Sequence, residues 1–322
     1  MKLPITLRQK LNMKEHSITA MISFAMVILL LATPARAADL KAEAVQRWNE
    51  YIAMVDKRNQ EHLAHGSPFL ASEQVPGQMT KLHAGEIVVA PADTRVPMKV
   101  DCALIHDWVG AAFIPNVTIA DLLSTVRNYD RYVEFYQPNV VVSKVRQKSE
   151  FKDNYSIVVV NKSVLATTAL DVDYEATYAP IDKHRWYSIS GSTRMQEVAG
   201  YGTPAQHILP EDKGTGFIWR FHTVSRFEEM DGGVYLEIEA VALSRDIPSA
   251  LRWMVEPIVR RISRSSLATS LEKTESAVYA NFGIASQERR NCVAAKDCVQ
   301  HKPVAATSYL PSHPGLTFAR SN

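Results

Sequence analysis

The chain has 322 residues, 46% of them hydrophobic and 22% charged, with a net charge of +2. This composition is globular and fits one large domain or two small ones. It excludes a disordered polyelectrolyte, a collagen-like repeat and a nucleic-acid binder driven by excess positive charge.

Residues 1–37 read as a targeting segment. Lys2, Arg8, Lys10 and Lys14 precede an apolar run from Ala20 to Ala32, and Ala35-Arg36-Ala37 is a small-x-small cleavage site. The run is shorter than the roughly 20 residues of a membrane span. Cleavage before Ala38, a secreted or periplasmic location and no stable membrane span afterwards are therefore expected. An uncleaved anchor is the competing reading. The segment holds five basic residues and one acid, so its removal turns the net charge from +2 to −2.

Residues 39–65 carry Leu40, Val45, Trp48, Ile52 and Val55 at helical spacing, ended by Gly66-Ser67-Pro68. This amphipathic helix either packs on the domain or binds a protein partner. Residues 69–82 read as loop. Residues 85–113 read as strands broken near Pro91 and Pro97. Leu104, His106, Trp108 and Gly110 share one face there, and Ile105, Asp107 and Val109 the other. His106 and Asp107 thus point apart and form no dyad with each other. Cys102 reads as a small buried core residue. Thr118 with Asp121 three residues on opens a helix whose stripe is Ile119, Leu122, Leu123, Val126 and Tyr129. A short helix from Arg131 to Tyr136 precedes Pro138.

Strands follow at 140–148 and 155–161. From Val164 to Tyr178 the even positions, Tyr174 among them, make one face, with Asp171, Asp173 and Glu175 on the other. The next strand places Tyr187, Ile189, Thr193 and Met195 together, with a bulge or bend at Gly191 and Arg194 pointing the opposite way. Asp231-Gly232 suits a two-residue hairpin. Its register sets Phe227 against Leu236, Ser225 against Ile238, Thr223 against Ala240, Phe221 against Ala242 and Trp219 against Ser244. The other face pairs Arg226 with Glu237 and Val224 with Glu239, so Arg226–Glu237 reads as a surface pair of little energetic weight.

Pro248 suits a first helical turn. Met254, Val255, Ile258 and Ile262 stack on one side of the following helix, and Leu267, Leu271, Val278 and Phe282 on nearly the opposite side. One straight helix does not bury both stripes against one sheet. A break near Ser263, with a new helix from Arg264 to about Phe282, is therefore expected. Residues 283–322 read as a polar tail. Cys292 and Cys298 within it are near enough in sequence for a local disulfide, though spacing does not establish the geometry.

This order gives an α+β domain in which a curved antiparallel sheet grips a long C-terminal helix, with an extra N-terminal helix and linker at 38–83. Residues 84–282 resemble the helix-grip fold of the START/Bet v 1-like (SRPBCC, polyketide cyclase/dehydrase-like) superfamily. The strings that carry the resemblance include Ile105-His106-Asp107-Trp108-Val109-Gly110, Tyr129-Asp130-Arg131-Tyr132, Phe217-Ile218-Trp219-Arg220 and Leu243-Ser244-Arg245-Asp246-Ile247-Pro248. The resemblance implies a cavity between sheet and helix for lipids, sterols, polyketides or hormones, with cyclisation in some members. It supplies no universal catalytic motif.

The candidate lining of that cavity is Trp108, Tyr174, Tyr187, Trp219, Phe221 and Thr223, with Ile238, Ala240 and Ala242 from the hairpin. Leu267 and Leu271 face it from the helix. Arg245 and Asp246 stand where the cavity mouth is expected. The aromatic residues of one hairpin strand face small ones on the other, so the interior is either filled by interdigitation or left open for an apolar ligand. No glycine-rich nucleotide loop, Gly-x-Ser-x-Gly elbow, HExxH helix or CxxC pair occurs, and the ten histidines are scattered. No cofactor and no metal are expected. The first functional reading is an exported carrier of a hydrophobic small molecule or lipid. A cyclase- or dehydratase-type enzyme using the same cavity and a non-enzymatic interaction module stay open as alternatives.

Overall fold

The structure is a computed structural model that describes residues 38–64, 66–162 and 167–282. The expected cleavage site, Val164 and Ala166, the tail, Cys292 and Cys298 lie outside the described residues. Two-residue strand β1 (Ala38–Asp39) leads into helix α1 (Ala42–Leu63). A 3₁₀ turn (Ala71–Gln74) and helix α2 (Gln78–His83) occupy the stretch read as loop, and bury Phe69, Leu70 and Leu82. Strands β2 (Val88–Pro91), β3 (Met98–Val100) and β4 (Ala103–Pro115) follow. Cys102 is not a core residue: it is exposed in the β3–β4 turn at φ 58°.

Thr118 caps helix α3 (Ile119–Val126), its side chain accepting from the Asp121 N–H while the Asp121 carboxylate accepts from the Thr118 N–H. Helix α4 (Tyr132–Phe135) follows. Strands β5 (Val140–Lys148), β6 (Lys152–Lys162), β7 (Thr167–Pro180) and β8 (Arg185–Ala199) form a meander. After the two-residue strands β9 (His207–Ile208) and β10 (Lys213–Gly214) comes the hairpin of β11 (Arg220–Met230) and β12 (Gly233–Arg245). Helix α5 (Ser249–Phe282) ends the described chain.

The main sheet runs in the order β2-β4-β12-β11-β8-β7-β6-β5, antiparallel throughout, with β3 also pairing with β4 and β9 with β8. Its bulges lie at Asp173/Tyr174, Val140/Val142 and Val145/Gln147. They increase the local twist and bend the β5–β8 half. The sheet is curved and unclosed, and α5 crosses its inner face: an α+β helix-grip fold. Hairpin pairing is as the Asp231-Gly232 turn requires, from Met230↔Gly233 to Arg220↔Leu243. Asp231 and Gly232 both adopt the positive φ of that turn, 56° and 77°.

The two faces have different covers. On the inner face, the C-terminal half of α5 buries Leu267, Leu271, Val278 and Tyr279 against Trp108, Ala112, Ile114, Phe227 and Leu236. On the outer face, α1 packs Ala44, Trp48, Tyr51 and Val55 on Ala103, Ile105, Val224, Val241 and Leu243. The apolar stripe of α1 is thus used within the fold.

Helix α5 does not break at Ser263. It stays continuous for 34 residues, and its second stripe is only half covered, with Met254 and Val255 partly buried. Ile258 is 54% exposed and Ile262 40%, and no residue before Leu267 is buried. It stays whole although Pro257 inside it has no backbone N–H to donate, and full burial is confined to residues from Leu267 onward.

Arg226 and Glu237 are not a surface pair. Both are buried, because α1 and the 3₁₀ turn cover them. Arg226 Nη1 lies 3.1 Å from Glu237 Oε1. Glu237 also accepts from the Ala71 N–H at 2.8 Å and from the Ser72 hydroxyl at 2.6 Å. Arg58 of α1 bridges Glu239 and Asp107, the latter at 3.1 Å, and the Tyr51 hydroxyl donates to Asp107 at 2.8 Å. Removing one partner from such a buried set costs about 3–5 kcal/mol, because the charge left behind has no water.

Burial, with the Glu239 charge nearby, pushes the Asp107 carboxyl up from 3.8 to about 7. Between those values the unfolded chain has lost a proton that the folded chain keeps. The stability contributed by Asp107 therefore falls as pH rises through that window. Asp107→Asn should remove this slope. In urea unfolding, the penalty of the variant relative to wild type should shrink from pH 4.5 to pH 8. A pH-independent penalty would show that Asp107 is ionised throughout.

Candidate functional site

Strand register decides which side chains reach the inner face. Trp108 opposes Ala240 and His106 opposes Ala242 across β4–β12. Thr223 opposes Ser190 and Ser225 opposes Ser188 across β11–β8. Tyr178, Ala176 and Tyr174 continue the same face across β8–β7, and Tyr155 and Ile157 extend it onto β6.

This face has two unlike halves. Under the C-terminal half of α5 it is packed solid. A Cβ on Gly110 would stand 2.8 Å from Leu267 Cγ and 3.0 Å from Leu271 Cδ1, so glycine there admits the helix. Leu267 and Leu271 belong to this seat. Beyond it, Phe221, Thr223, Ile238, Ala240, Ala242 and Ser244 keep accessible surface although they face inward. So do Tyr132, Tyr136 and Tyr174. Burial pushes the hydroxyl pKa of Tyr174 well above its ordinary value, and the residue still keeps part of its surface accessible. Small residues on β12 and the lack of any buried residue in the first half of α5 go with this accessible surface.

The half-filled region mixes rings with hydroxyls. Tyr129 stacks on Tyr155 at 4.0 Å and Tyr155 on Tyr174 at 5.2 Å. The Tyr136 hydroxyl is 2.8 Å from Thr274 Oγ1, which ties α4 to α5. Arg127 anchors the far end through Asp153 at 2.8 Å, with Tyr129 donating to the same carboxylate. At the β4–β12 end, His106 Nε2 lies 2.8 Å from Ser244 Oγ. Burial, with Arg260 adding to it, pulls the pKa of His106 down to about 4, so the ring is neutral at physiological pH.

Seven of the expected lining residues, Trp108, Tyr174, Phe221, Thr223, Ile238, Ala240 and Ala242, share the inner face. Two do not. Trp219 lies one residue before the β11 ladder, where alternation has no force, and packs with the α1 cluster on the outer side. Tyr187 opposes Arg226 and so faces outward. The extra residue at Thr193 shifts the parity of β8, so Met195 points in while Tyr187 points out. Arg194 points outward to Asp171 and Asp173 as expected. Asp246 binds Lys99 at 3.0 Å and Arg252 at 2.9 Å and anchors the turn into α5, whereas the Arg245 side chain is exposed. Sequence reading missed Tyr132, Tyr136 and Tyr155. The alternation of Tyr155 with Ile157 carried that signal for β6; Tyr132 and Tyr136 are brought in by tertiary packing alone. A separate hollow of about 280 Å³ opens on the outer face, lined by Thr177, Ile189, Gly191 and His222 among others. The described residues contain no cluster of His, Cys, Asp and Glu able to hold a metal ion.

No protein-family model matches the chain, and no curated protein does. Solved structures do. A STAR-related lipid transfer protein from Xanthomonas axonopodis is 15% identical over 59% of this chain and 98% of its own, with a TM-score of 0.38. Human STARD10 is 10% identical over 67% of this chain and 83% of its own, with a TM-score of 0.37. The Zhui aromatase/cyclase from a Streptomyces species is 12% identical over 55% of this chain and 98% of its own, with a TM-score of 0.34. The fold assignment rests on the strand register and the helix seat described above, not on these overlaps.

If Gly110 admits α5, a larger residue there must displace it. Gly110→Val should destabilise the protein by about 1–3 kcal/mol in denaturant unfolding. Adding Leu267→Ala should recover part of that loss. Additive penalties in the double variant would show that the two residues do not share a contact.

Proposed function

We propose that the chain is an exported carrier of a hydrophobic small molecule or lipid, held between the inner face of the sheet and α5. The supporting observation is the unequal packing of that face. One half seats the helix on Gly110, while Phe221, Ala240, Ala242 and Tyr174 beside it stay inward-facing and half-buried. An apolar surface that is turned inward yet unfilled suits an apolar guest. Export follows from the leader-like composition of residues 1–37, and separation of the protein into a mature chain starting at Ala38 is part of the proposal.

One observation favours a second reading, a cyclase- or dehydratase-type enzyme. His106 and Ser244 stand in hydrogen-bond reach on the inner face, as acid–base chemistry would need. The depressed pKa of His106 makes it a weak base, and the carrier reading needs no such chemistry.

Native mass spectrometry and solvent extraction of the purified protein should recover a bound apolar compound, and the neutral dye N-phenyl-1-naphthylamine should gain fluorescence on binding. Ala242→Trp, which fills the open region, should weaken dye binding by about tenfold or more. Absence of both bound compound and dye binding in the wild-type protein would overturn the carrier reading.

A further inference from the structure

Among the buried polar atoms of the inner face that lack a partner among the described residues, two stand together on β4. They are Trp108 Nε1 and His106 Nδ1. Both residues are more than nine-tenths buried, at 7% and 6% exposure. They stand two positions apart on β4, about 7 Å along the strand, and point to the same face. The β12 residues opposite them, Ala240 and Ala242, are small and retain accessible surface. Ser244 occupies the other nitrogen of His106 and fixes the ring. A buried donor left unpaired is costly, so groups of this kind are expected to meet water or a ligand atom.

The geometry points to a polar subsite at the His106–Trp108–Ser244 end of the inner face that holds an acceptor oxygen of an otherwise apolar ligand. This deepens the carrier reading and rests on it. The indole N–H only donates, so the ligand atom facing it must accept. A carbonyl, a hydroxyl or a carboxylate oxygen satisfies that condition. The free nitrogen of His106 can donate or accept according to tautomer, so it serves any of the three. Arg260, whose positive charge reaches His106, adds a potential that favours the carboxylate. In the unliganded protein a water molecule can fill the same role and be displaced by the ligand oxygen. The remainder of the ligand would lie along Ala240, Ala242, Phe221 and Thr223 towards the tyrosines. Its polar end would therefore be placed at β4 and its apolar body along the sheet.

The test uses the full purified chain and four probes of equal length: octane, 2-octanone, 1-octanol and octanoate. Each competes against N-phenyl-1-naphthylamine, and its affinity is scaled by its partitioning from water into hexadecane. At least one oxygenated probe should compete about tenfold better than octane on that scale. Which one does so distinguishes carbonyl, hydroxyl and carboxylate. In Trp108→Phe, which removes the donor, that ratio should fall towards one. In wild-type protein labelled with ¹⁵N-tryptophan, the Trp108 indole N–H proton should move downfield with the favoured probe and not with octane. This readout stands even if the variant fails to fold. Should the dye and octane bind while no oxygenated probe gains an advantage, or should the indole signal stay fixed, the subsite is refuted and the carrier reading survives. Should neither dye nor any probe bind, both fall together.

Discussion

Helix α5 buries side chains against the sheet only from Leu267 onward, and the rest of the structure follows from that contact. Leu267, Leu271 and Val278 seat on a strip where β4 offers Gly110 and Ala112 between Trp108 and Ile114. Close approach there fixes the height of the helix above the sheet. Its first half carries no buried residue and so lies off the packed layer. The inner surface of β7, β8, β11 and β12 is left with Phe221, Ala240, Ala242 and Tyr174 turned inward but half-buried. The candidate site is what this partial seat leaves open.

The outer face answers a different problem. It carries Arg226, Glu237, Glu239 and Asp107, which no apolar cover could accept. Helix α1 covers it with an apolar stripe and also brings Arg58 and Tyr51 to the carboxylates, while the 3₁₀ turn supplies backbone N–H groups to Glu237. Charges buried in this way are stable only as a set. The N-terminal segment is thus an integral layer of the fold, and the sheet is held between two helices, of which α1 also brings polar partners to buried charges.

Much of this arrangement was legible in the sequence. Asp231-Gly232 and strict alternation on both sides fixed the hairpin register, because a slip of one residue would have turned every side chain over. Thr118 with Asp121 marked the start of α3. Other features depended on contacts between distant segments. Nothing near Arg226 indicates that a helix some 170 positions earlier lies over it. Tyr187 was misplaced because a single extra residue at Thr193 changes the parity of the strand. Trp219 was misplaced because alternation was extended one residue past the ladder. The break expected at Ser263 assumed that every apolar stripe must be buried, and α5 leaves Ile258 and Ile262 of its second stripe exposed.

Xenon enters apolar space that side chains leave unfilled, so a crystal of the protein pressurised with xenon shows directly whether the inner face is open. The account requires a xenon site on the inner face between Phe221, Ala240 and Ala242, and none between Gly110 and Leu267. An inner face filled by side chains from end to end, with xenon absent from it, would contradict the account.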